Sequence, residues 1–549
     1  FVFLKIFELY HFRYRKIWFY RMKKIFTRNI LFLASLILFV QAGVLAQTKP
    51  QPVYPPQVND FAPVLNFLAS PALEGRETGQ QGCTVAAEYI ASMMQHLGLK
   101  PYKTNAALTY RPADYFQEFK LLRQTAGDAS LDVMISKEQK LKLRAGSDFK
   151  VFNLAKPLAA ESVPVFAGYG IADSSLGYND YAGLNVKGKI VLIMPGYPGQ
   201  HDTASVAWKK FKATAENDDF DLDKKCSVAA KQGATAVIIV NKAVLYPKQA
   251  NTKPENNPVS TEPEYISAGY SLPKVESEPL SVCFRLNKKS SEKLALALGI
   301  DFIKAEKQIA EKLKFNPVDL RSKISLKAKP TVDTLQVNNV IGKIQGRDST
   351  QTIILGAHYD HLGKRGNIIY NGSDDNASGV AGLLALVRVW TESKTIPPCN
   401  ILFASWTAEE KGLIGSEYFA STLSSPDKVK LYINMDMISR SVVEDTARRQ
   451  LSIGTRAADT NLQELARQIN STLSHPFILD LWDVTGHSGS DYASFTAKNI
   501  PVMTYNTGLH NDYHTPRDIP AAADLVKMGD VLKLVNESLQ IFMSNSQQK

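Results

Sequence analysis

The sequence predicts an α/β fold in which a mixed, mostly parallel central sheet carries helices on both faces, with a smaller domain inserted into it. From about residue 335 onward, short apolar runs alternate with longer stretches whose apolar residues recur at helical spacing. Strand runs that are apolar throughout are typical of a parallel sheet covered on both faces. Between about residues 150 and 290, short strand-like runs are separated by loops rich in proline and charge, which indicates a separate domain.

Five strand-like runs define the predicted central sheet. They lie at 339–344, 352–355, 401–405, 431–435 and 501–505. Helical patterns lie between them: Val380, Leu383 and Val387 share one helical face. A second helical pattern starts at Thr460, where Gln463 is placed for a capping box.

Length and pattern together divide the chain into five predicted segments, since 549 residues exceed the usual size of one domain. They are 1–46, an upstream extension with a signal peptide; 47–150, the N-terminal part of the main domain; 151–290, the inserted domain; 291–335, a connection back to the main domain; and 336–549, its core. Within the insert, residues 189–194 and 236–240 have the composition of buried strands.

The first 46 residues have the three-part form of a secretory signal peptide. Met22 opens a basic stretch that ends at Arg28, and an apolar run follows at 30–40. Val44 and Ala46 are small enough for a cleavage site, so we expect cleavage after Ala46 and export to the periplasm or the exterior. The apolar run is shorter than the about 20 residues that a spanning helix needs, so we predict no stable membrane insertion after cleavage. An uncleaved anchor is the alternative.

Charge and cysteine patterns exclude several classes of protein. The formal net charge is +11, but the first 46 residues contain eight Lys or Arg and one Glu, so most of the excess lies in the leader. No basic stripe with interleaved aromatic residues occurs, and we expect no nucleic acid partner. The four cysteines lack a CxxC pattern, which argues against a cysteine zinc site. Disulfides and isolated buried thiols both stay open.

Polar clusters follow the predicted strands, at the edge where an open α/β sheet forms its sites. The clusters after strands are 356–361, 407–410, Asp436 and 513–515, and a further cluster at 372–376 lies directly before a helix. Each cluster alone is a weak signal, because a lone histidine is usually structural and paired glutamates are usually surface charge. Asp374 and Asp375 can simply cap the helix that follows them. The shared sheet edge nevertheless favours a common site.

The residue types suit a hydrolytic metal centre. Imidazole and carboxylate groups are suitable zinc ligands. Two zinc ions about 3.5–4 Å apart need a bridging group, which a carboxylate with two oxygens supplies. Catalysis also needs a base that is not itself a ligand, and the adjacent Glu409 and Glu410 can divide those two tasks.

Together these segments resemble peptidase family M28, the zinc aminopeptidases. The resemblance extends to Leu73-Glu74-Gly75-Arg76 near the start. Residues 168–192 are similar to a protease-associated (PA) domain, which commonly interrupts such peptidases, and this identifies the 151–290 insert as a PA domain. The resemblance implies an aminopeptidase that acts on peptides or proteins and holds two Zn²⁺ per chain.

The resemblance also implies a role for each site residue. The implied metal ligands are His358, Asp374, Glu410, Asp436 and His514. Asp374 is the implied bridge between the ions, with a cis peptide between it and Asp375. Glu409 is the implied general base, and Tyr513 is implied to polarise the carbonyl or hold the oxyanion. Asp360 and Asp375 are expected in the shell behind the ligands, Asp360 as the carboxylate that orients the imidazole of His358.

Three further residues are candidates for the substrate pocket, and two other functions stay open. His487, Asp491 and Trp482 are the pocket candidates, with structural roles as the alternative for each. We expect His361 to lie outside the ligand set. The first alternative function is an M28-type carboxypeptidase or a glutaminyl cyclase-like enzyme. The second is a non-catalytic protein that binds partners through the PA domain. The preferred substrate side chain is not predicted.

Overall fold

The structure is a computed structural model, which describes residues 53–102, 111–154, 156–211, 222–246, 269–273, 281–314 and 318–545. The predicted leader and its cleavage site after Ala46 lie outside these ranges. No helix of the described ranges is long and apolar enough to cross a membrane. Within Pro55–Val389 and Ile396–Lys549, the described residues form one compact unit. Residues Trp390–Thr395 belong to a second unit. Within this segment, the Ser393 hydroxyl donates to the Trp390 carbonyl oxygen at 2.8 Å.

Strands and helices are numbered in chain order over the described residues. The strands are β1 (Lys100–Pro101), β2 (Phe116–Met134), β3 (Lys140–Arg144), β4 (Phe149–Phe152), β5 (Leu158–Ser162), β6 (Val165–Phe166), β7 (Ala172–Asp173), β8 (Tyr178–Asn179), β9 (Ile190–Ile193), β10 (Ala236–Ile239), β11 (Gly269–Ser271), β12 (Val282–Leu286), β13 (Ile324–Ile344), β14 (Asp348–His358), β15 (Gly363–Arg365), β16 (Ile368–Tyr370), β17 (Cys399–Trp406), β18 (Val429–Met435), β19 (Gln450–Thr455), β20 (Ile478–Asp483) and β21 (Val502–Asn506). The α-helices are α1 (Val58–Leu68), α2 (Gln81–His96), α3 (Val206–Phe211), α4 (Leu222–Lys231), α5 (Lys288–Leu298), α6 (Phe302–Lys312), α7 (Gly379–Glu392), α8 (Ile414–Ser421), α9 (Thr460–Thr472), α10 (Tyr492–Thr496) and α11 (Leu525–Asn545).

The large sheet has a parallel centre and antiparallel flanks. Its strand order is β11-β2-β13-β17-β14-β18-β21-β19-β20, and β1, β3 and β5 pair beside this path. Strand β14 runs parallel to both β17 and β18, and β18 runs parallel to β21. Every residue of β17 is buried, as expected for a strand covered on both faces. The predicted α/β class with a mixed central sheet is confirmed. Among the described residues, parallel pairing in this sheet is confined to β14 with β17 and β18, β18 with β21, and β19 with β20, so the sheet is not mostly parallel.

The parallel centre of the sheet brings three loops to one edge. His358 is the last residue of β14 and pairs in register with Trp406, the last residue of β17. The neighbouring strand β18 ends at Met435, directly before Asp436. Because these three strands run in the same direction, the polar loops that follow them begin side by side.

A second sheet of five strands forms the core of the inserted region. Its order is β4-β12-β10-β9-β6, with β10 parallel to β9 and to β12. Helices α5 and α6 bury Leu294 and Ile309 in the same hydrophobic cluster as Ile190 and Phe284 of this sheet. Residues that we expected to form only a connection, 291–335, therefore contribute to the core of the insert. The predicted domain bounds themselves stay a prediction.

The four cysteines, Cys83, Cys226, Cys283 and Cys399, are buried and form no disulfide bonds. Cys226 and Cys283 pack in a hydrophobic cluster of the five-stranded sheet. Of the two alternatives that the sequence left open, the structure therefore has buried thiols and not disulfides. The cysteines contribute to packing and provide no covalent links between elements.

Candidate active site

Imidazole and carboxylate side chains converge at the edge where β14, β17 and β18 end. Their ligand atoms form two groups, and within each group these atoms lie within 4.8 Å of one another. The groups are His358, Asp375 and Asp436, and His361, Asp375, Glu410 and His514. Asp375 belongs to both groups, so one carboxylate links them. Four of the five predicted ligands are in these groups; the fifth, Asp374, is not.

The first group is arranged around the imidazole of His358. Its Nε2 lies 3.3 Å from Asp375 Oδ1 and 3.3 Å from Asp436 Oδ1. Its Nδ1 lies 3.1 Å from the carbonyl oxygen of Asp360, and a proton donated there leaves the Nε2 lone pair free for a cation. We expected the Asp360 carboxylate to orient this ring. Instead the Asp360 carbonyl does so, because the carboxylate accepts from the backbone N–H of Glu409 at 3.1 Å and from the hydroxyl of Thr78 at 2.7 Å.

The second group places a carboxylate between two imidazoles. His514 Nε2 lies 3.4 Å from Glu410 Oε2, and His361 Nδ1 lies 2.7 Å from Glu410 Oε1. His514 Nε2 also lies 3.0 Å from Asp375 Oδ2. Burial and the charge of Asp375 raise the pKa of Glu410, but hydrogen bonds from the two histidines outweigh them and lower it to about 2. Glu410 is therefore an ionised carboxylate at neutral pH, and its oxygens can bind a cation.

The carboxylate shared by the two groups belongs to Asp375, so the prediction that Asp374 forms the bridge is wrong by one residue. Asp374 Oδ1 accepts from the backbone N–H and the hydroxyl of Ser439, at 2.7 and 2.8 Å. Its Oδ2 lies 3.4 Å from His510 Nε2. Asp374 therefore hydrogen-bonds to Ser439 and belongs to neither group. Asp375, which we expected in the shell behind the ligands, belongs to both groups.

Local backbone geometry separates the two aspartates. Residues 373–378 form a distorted turn in which Asp375 and Asn376 have non-helical torsion angles. A cis peptide bond joins Asp375 to Asn376, one position after the bond that we predicted to be cis. The carboxylate of Asp518 accepts from the N–H groups of both Asp374 and Asp375, at 2.9–3.1 Å. The backbone that carries the shared carboxylate is thus fixed from outside the turn.

The two groups fit a pair of zinc ions. All donors are imidazole nitrogen or carboxylate oxygen, which zinc accepts. Tetrahedral zinc with bonds of about 2.0–2.1 Å holds neighbouring ligand atoms about 3.3–3.4 Å apart. The separations are 3.3 and 3.3 Å around His358 and 3.0 and 3.4 Å around His514. Asp375 presents Oδ1 to the first group and Oδ2 to the second, which is the arrangement a bridging ligand requires.

The two predicted catalytic residues lie beside the groups without belonging to them. Glu409 Oε2 lies 3.8 Å from His358 Nε2, and its side chain is 12% exposed. Burial raises the pKa of Glu409 well above its usual value, although His358 opposes the shift. The ring of Tyr513 stacks on that of His514 with centroids 3.8 Å apart. Both side chains therefore lie next to an imidazole of the two groups.

Two of the predicted pocket residues, Trp482 and His487, pack against each other, and the third, Asp491, lies nearer the two groups. Asp491 is fully buried directly before α10, and burial raises the pKa of its carboxyl to about 7. Trp482 packs against the hydrophobic cluster below the site, and its ring centroid lies 5.2 Å from that of His487. These contacts fit packing for Trp482, while Asp491 lies close enough to the donors to affect the pKa of Glu409.

Arg76 is a structural support for the site, and its role was not evident from the sequence alone. Its buried guanidinium donates to the carbonyl oxygens of Tyr359, Asn371 and Gly372 at 2.7–2.8 Å. It therefore ties the loop after β14 to the loop before Asp375. The sequence motif that contains Arg76 pointed to this segment but did not show which groups it would bind.

A buried chain of hydrogen bonds reaches Asp436 from the core of the sheet. Trp406 donates to Tyr432, Tyr432 to Asn434, and Asn434 to Ser490, at 2.8–2.9 Å. The hydroxyl of Ser490 then donates to Asp436 Oδ2 at 2.6 Å, which leaves Oδ1 facing His358. Asp436 therefore has one oxygen fixed by the protein and one directed into the first group.

The chain matches two family models. Residues 339–538 match the model of Peptidase family M28, and residues 156–270 match the model of the PA domain. The first match contains every donor of the two groups. The second contains most of the strands of the five-stranded sheet.

Similar proteins include fungal and bacterial aminopeptidases. Leucine aminopeptidase 2 of Trichophyton rubrum is 30% identical over 177 residues, covering 31% of this chain and 33% of that protein. The probable leucine aminopeptidase 2 of Aspergillus oryzae is 29% identical over 187 residues, covering 32% and 36%. The chain thus spans about a third of the length of these curated relatives.

Solved structures share the fold over most of the chain. The aminopeptidase from Aneurinibacillus sp. strain AM-1 has a TM-score of 0.57 and 21% identity, covering 89% of this chain and 94% of that chain. A zinc aminopeptidase from Bacillus subtilis has a TM-score of 0.50 and 20% identity, covering 88% and 95%. At these identities the likeness shows the fold alone.

Proposed function

We propose, from the matches of residues 339–538 to the model of Peptidase family M28 and of residues 156–270 to the model of the PA domain, that the chain is an exported, two-zinc aminopeptidase. In this proposal it removes N-terminal residues from peptides or proteins. The observation that carries the proposal is the Asp375 carboxylate, whose two oxygens face two separate sets of donors. Aminopeptidase names among the relatives and a zinc aminopeptidase of the same fold support it.

Each proposed zinc ion has its own ligands and shares one. His358, Asp375 and Asp436 would hold the first ion, and Asp375, Glu410 and His514 the second. When bound, such a pair lowers the pKa of a water molecule and polarises the carbonyl of the scissile peptide bond. The ionised state of Glu410 gives the second ion an anionic ligand before it arrives.

In the proposed reaction, Glu409 moves the proton. Its carboxylate is not taken up by either donor group, and its backbone N–H is fixed by Asp360 at 3.1 Å. Glu409 takes a proton from the attacking water and returns it to the leaving amine as the peptide bond breaks. The raised pKa of Glu409 suits a group that must carry that proton between the two steps.

In the same proposal, Tyr513 acts on the substrate carbonyl. Its phenol is partly buried beside the donors, and burial with the nearby carboxylates raises its pKa, so it stays protonated. A neutral hydroxyl donates a hydrogen bond to the oxyanion that develops when water attacks the carbonyl. The stacked ring of His514 restricts the direction in which this hydroxyl points.

A panel of reporter substrates tests the proposed function. Purified protein would be assayed on aminoacyl, dipeptidyl and C-terminal reporters, with and without a zinc chelator. We expect cleavage of the aminoacyl reporters, loss of cleavage with the chelator and recovery when zinc is returned. Cleavage only from the C-terminus would favour the carboxypeptidase alternative, cyclisation of N-terminal glutamine would favour the cyclase alternative, and cleavage that ignores the chelator would reject a zinc mechanism.

A further inference from the structure

His361 is a buried imidazole of the second donor group that the proposed reaction does not use. It is 0% exposed, and its backbone N–H donates to the carbonyl oxygen of Arg76 at 3.1 Å. A β-carbon placed on Gly372 would lie 2.5 Å from two carbons of its ring, so the ring is seated directly against the backbone there. The position of the imidazole is therefore set from two sides.

Two roles are compatible with a histidine in that position, a fourth zinc ligand or a hydrogen-bond donor to a ligand. His361 Nδ1 lies 2.7 Å from Glu410 Oε1. Two atoms bonded to one zinc at about 2.0–2.1 Å lie about 3.3–3.4 Å apart at the tetrahedral angle, and even a right angle gives about 2.9 Å. The shorter separation is that of a charge-assisted hydrogen bond between an N–H and a carboxylate.

The other atoms of the group agree with this assignment. Glu410 Oε2, the oxygen that His361 does not contact, is the one that faces His514 Nε2. His361 Nδ1 is 3.6 Å from Asp375 Oδ2, beyond hydrogen-bond distance. Among the described residues, His361 Nε2 has no hydrogen-bond partner, so the one hydrogen bond that the ring makes there is the contact of Nδ1 with Glu410.

We propose that His361 is a positioning residue for the second zinc ion: its Nδ1–H holds Glu410 Oε1 and thereby directs Oε2 toward His514. This inference rests on the proposed function, because it assigns the role through the ion that Glu410 holds. It parallels the first group, in which Ser490 holds one oxygen of Asp436 and leaves the other for the cation. Groups that orient a ligand carboxylate commonly contribute 10- to 100-fold to metal affinity, so we expect about that loss without His361.

Two substitutions separate the roles. The amide of His361→Asn places an N–H donor close to the original Nδ1, so it preserves the hydrogen bond and removes the remainder of the ring. His361→Leu fills similar space without any donor. The exposed His96, at the end of α2, supplies the control variant His96→Leu.

The experiment measures the affinity of each zinc ion by titration of the metal-free protein against a competing chelator. The visible spectrum of the cobalt-substituted protein and the thermal unfolding midpoint are recorded alongside. We expect His361→Leu to weaken one of two ions by about 10- to 100-fold and to leave the other unchanged. His361→Asn should stay close to the wild type in both affinity and cobalt spectrum, as should His96→Leu.

Two outcomes would overturn the inference. Equal loss of affinity in the Asn and Leu variants, with the same change in the cobalt spectrum, would make His361 a ligand. Unchanged affinity in both, with only a lower unfolding midpoint, would make it a packing residue. Failure of the proposed function itself gives a different result, since the wild type would then hold no zinc or leave every aminoacyl reporter intact.

Discussion

The inserted region and the edge of the large sheet both bury charged side chains, but they satisfy them in opposite ways. In the insert, Asp180 is buried and its carboxylate accepts from the N–H groups of Tyr169 and Ile171, each at 3.0 Å, and from the hydroxyl of Tyr178 at 2.6 Å. Lys225 donates to two backbone carbonyl oxygens at 2.6 and 3.2 Å. Each charge is enclosed by hydrogen-bonding groups of its own surroundings.

At the sheet edge, buried carboxylates instead face one another and the same imidazoles. Asp375, Glu409, Glu410 and Asp436 all lie around His358 and His514. Bringing several like charges together in a buried site is costly unless a cation joins them. Burial alone therefore does not identify a charged side chain as functional. Several buried side chains of like charge that converge on one point do.

The largest expected effect is the loss of Glu409. Replacing it with Gln removes the proposed proton carrier but leaves both donor groups intact, so turnover should fall by about 100- to 10,000-fold while zinc content is unchanged. The check is kcat on an aminoacyl reporter together with metal analysis. Glu417→Gln, on the exposed face of α8, is the matched control. Turnover within a few-fold of the wild type would remove Glu409 from the mechanism.

A smaller loss of function is expected from replacing Asp518. Its carboxylate binds the backbone N–H groups of Asp374 and Asp375 and not the side chains of the two groups. Asp518→Asn offers an N–H group where two backbone N–H groups need an acceptor, so the turn that carries Asp375 loses part of its support. We expect about a 10-fold or greater loss of zinc affinity, measured by chelator competition. Asp427→Asn at an exposed position is the control. Wild-type affinity in Asp518→Asn would show that the turn holds its shape unaided.

The smallest effect on activity is expected in the insert. In the wild type, the Asp180 carboxylate accepts hydrogen bonds from the N–H groups of Tyr169 and Ile171. Asp180→Asn turns one of its acceptor atoms into an N–H group, which should lower the free energy of unfolding by about 1–3 kcal/mol. Zinc content and kcat per folded molecule should not change, because the donors lie elsewhere. Denaturant unfolding and metal analysis on the same preparation provide the check. A loss of zinc in this variant would break the contrast between the two regions.

The pH dependence of stability sharpens the same contrast. Burial raises the pKa of Asp180 to about 6 in the folded protein, against about 3.9 in an unfolded chain. The folded state therefore binds the proton more tightly, and the contribution of this group to stability falls as pH rises from about 4 to about 6. Asp180→Asn should lack this component, so the stability difference between variant and wild type should shrink over that interval. A difference that does not vary with pH would contradict the shift.

The sequence predicted the parts of the site that depend on strand order. His358, Glu410 and Asp436 follow neighbouring strands of the sheet, so the alternation of strands and helices was enough to bring them to one edge. His514 came with them through the family resemblance. The α/β class was predictable for the same reason, since periodicity reports burial directly.

Other parts of the site and of the fold depend on local geometry that the sequence pattern does not determine. Asp374 and Asp375 are adjacent and chemically identical, and only the distorted turn at 373–378 decides which one faces the donors. His361 and Glu410 meet through the direction of two side chains, which residue spacing does not determine. The packing of α6 against the five-stranded sheet was also missed, because an amphipathic helix does not specify which sheet it covers.

Zinc content after replacing one aspartate or its neighbour tests the shared carboxylate most directly. Asp375→Asn and Asp374→Asn would be purified with the wild type and their zinc measured per chain after dialysis against a weak chelator. We predict about two ions for the wild type and for Asp374→Asn, and fewer than two for Asp375→Asn, because only Asp375 faces both donor groups. Retention of both ions by Asp375→Asn, with loss from Asp374→Asn, would contradict the account.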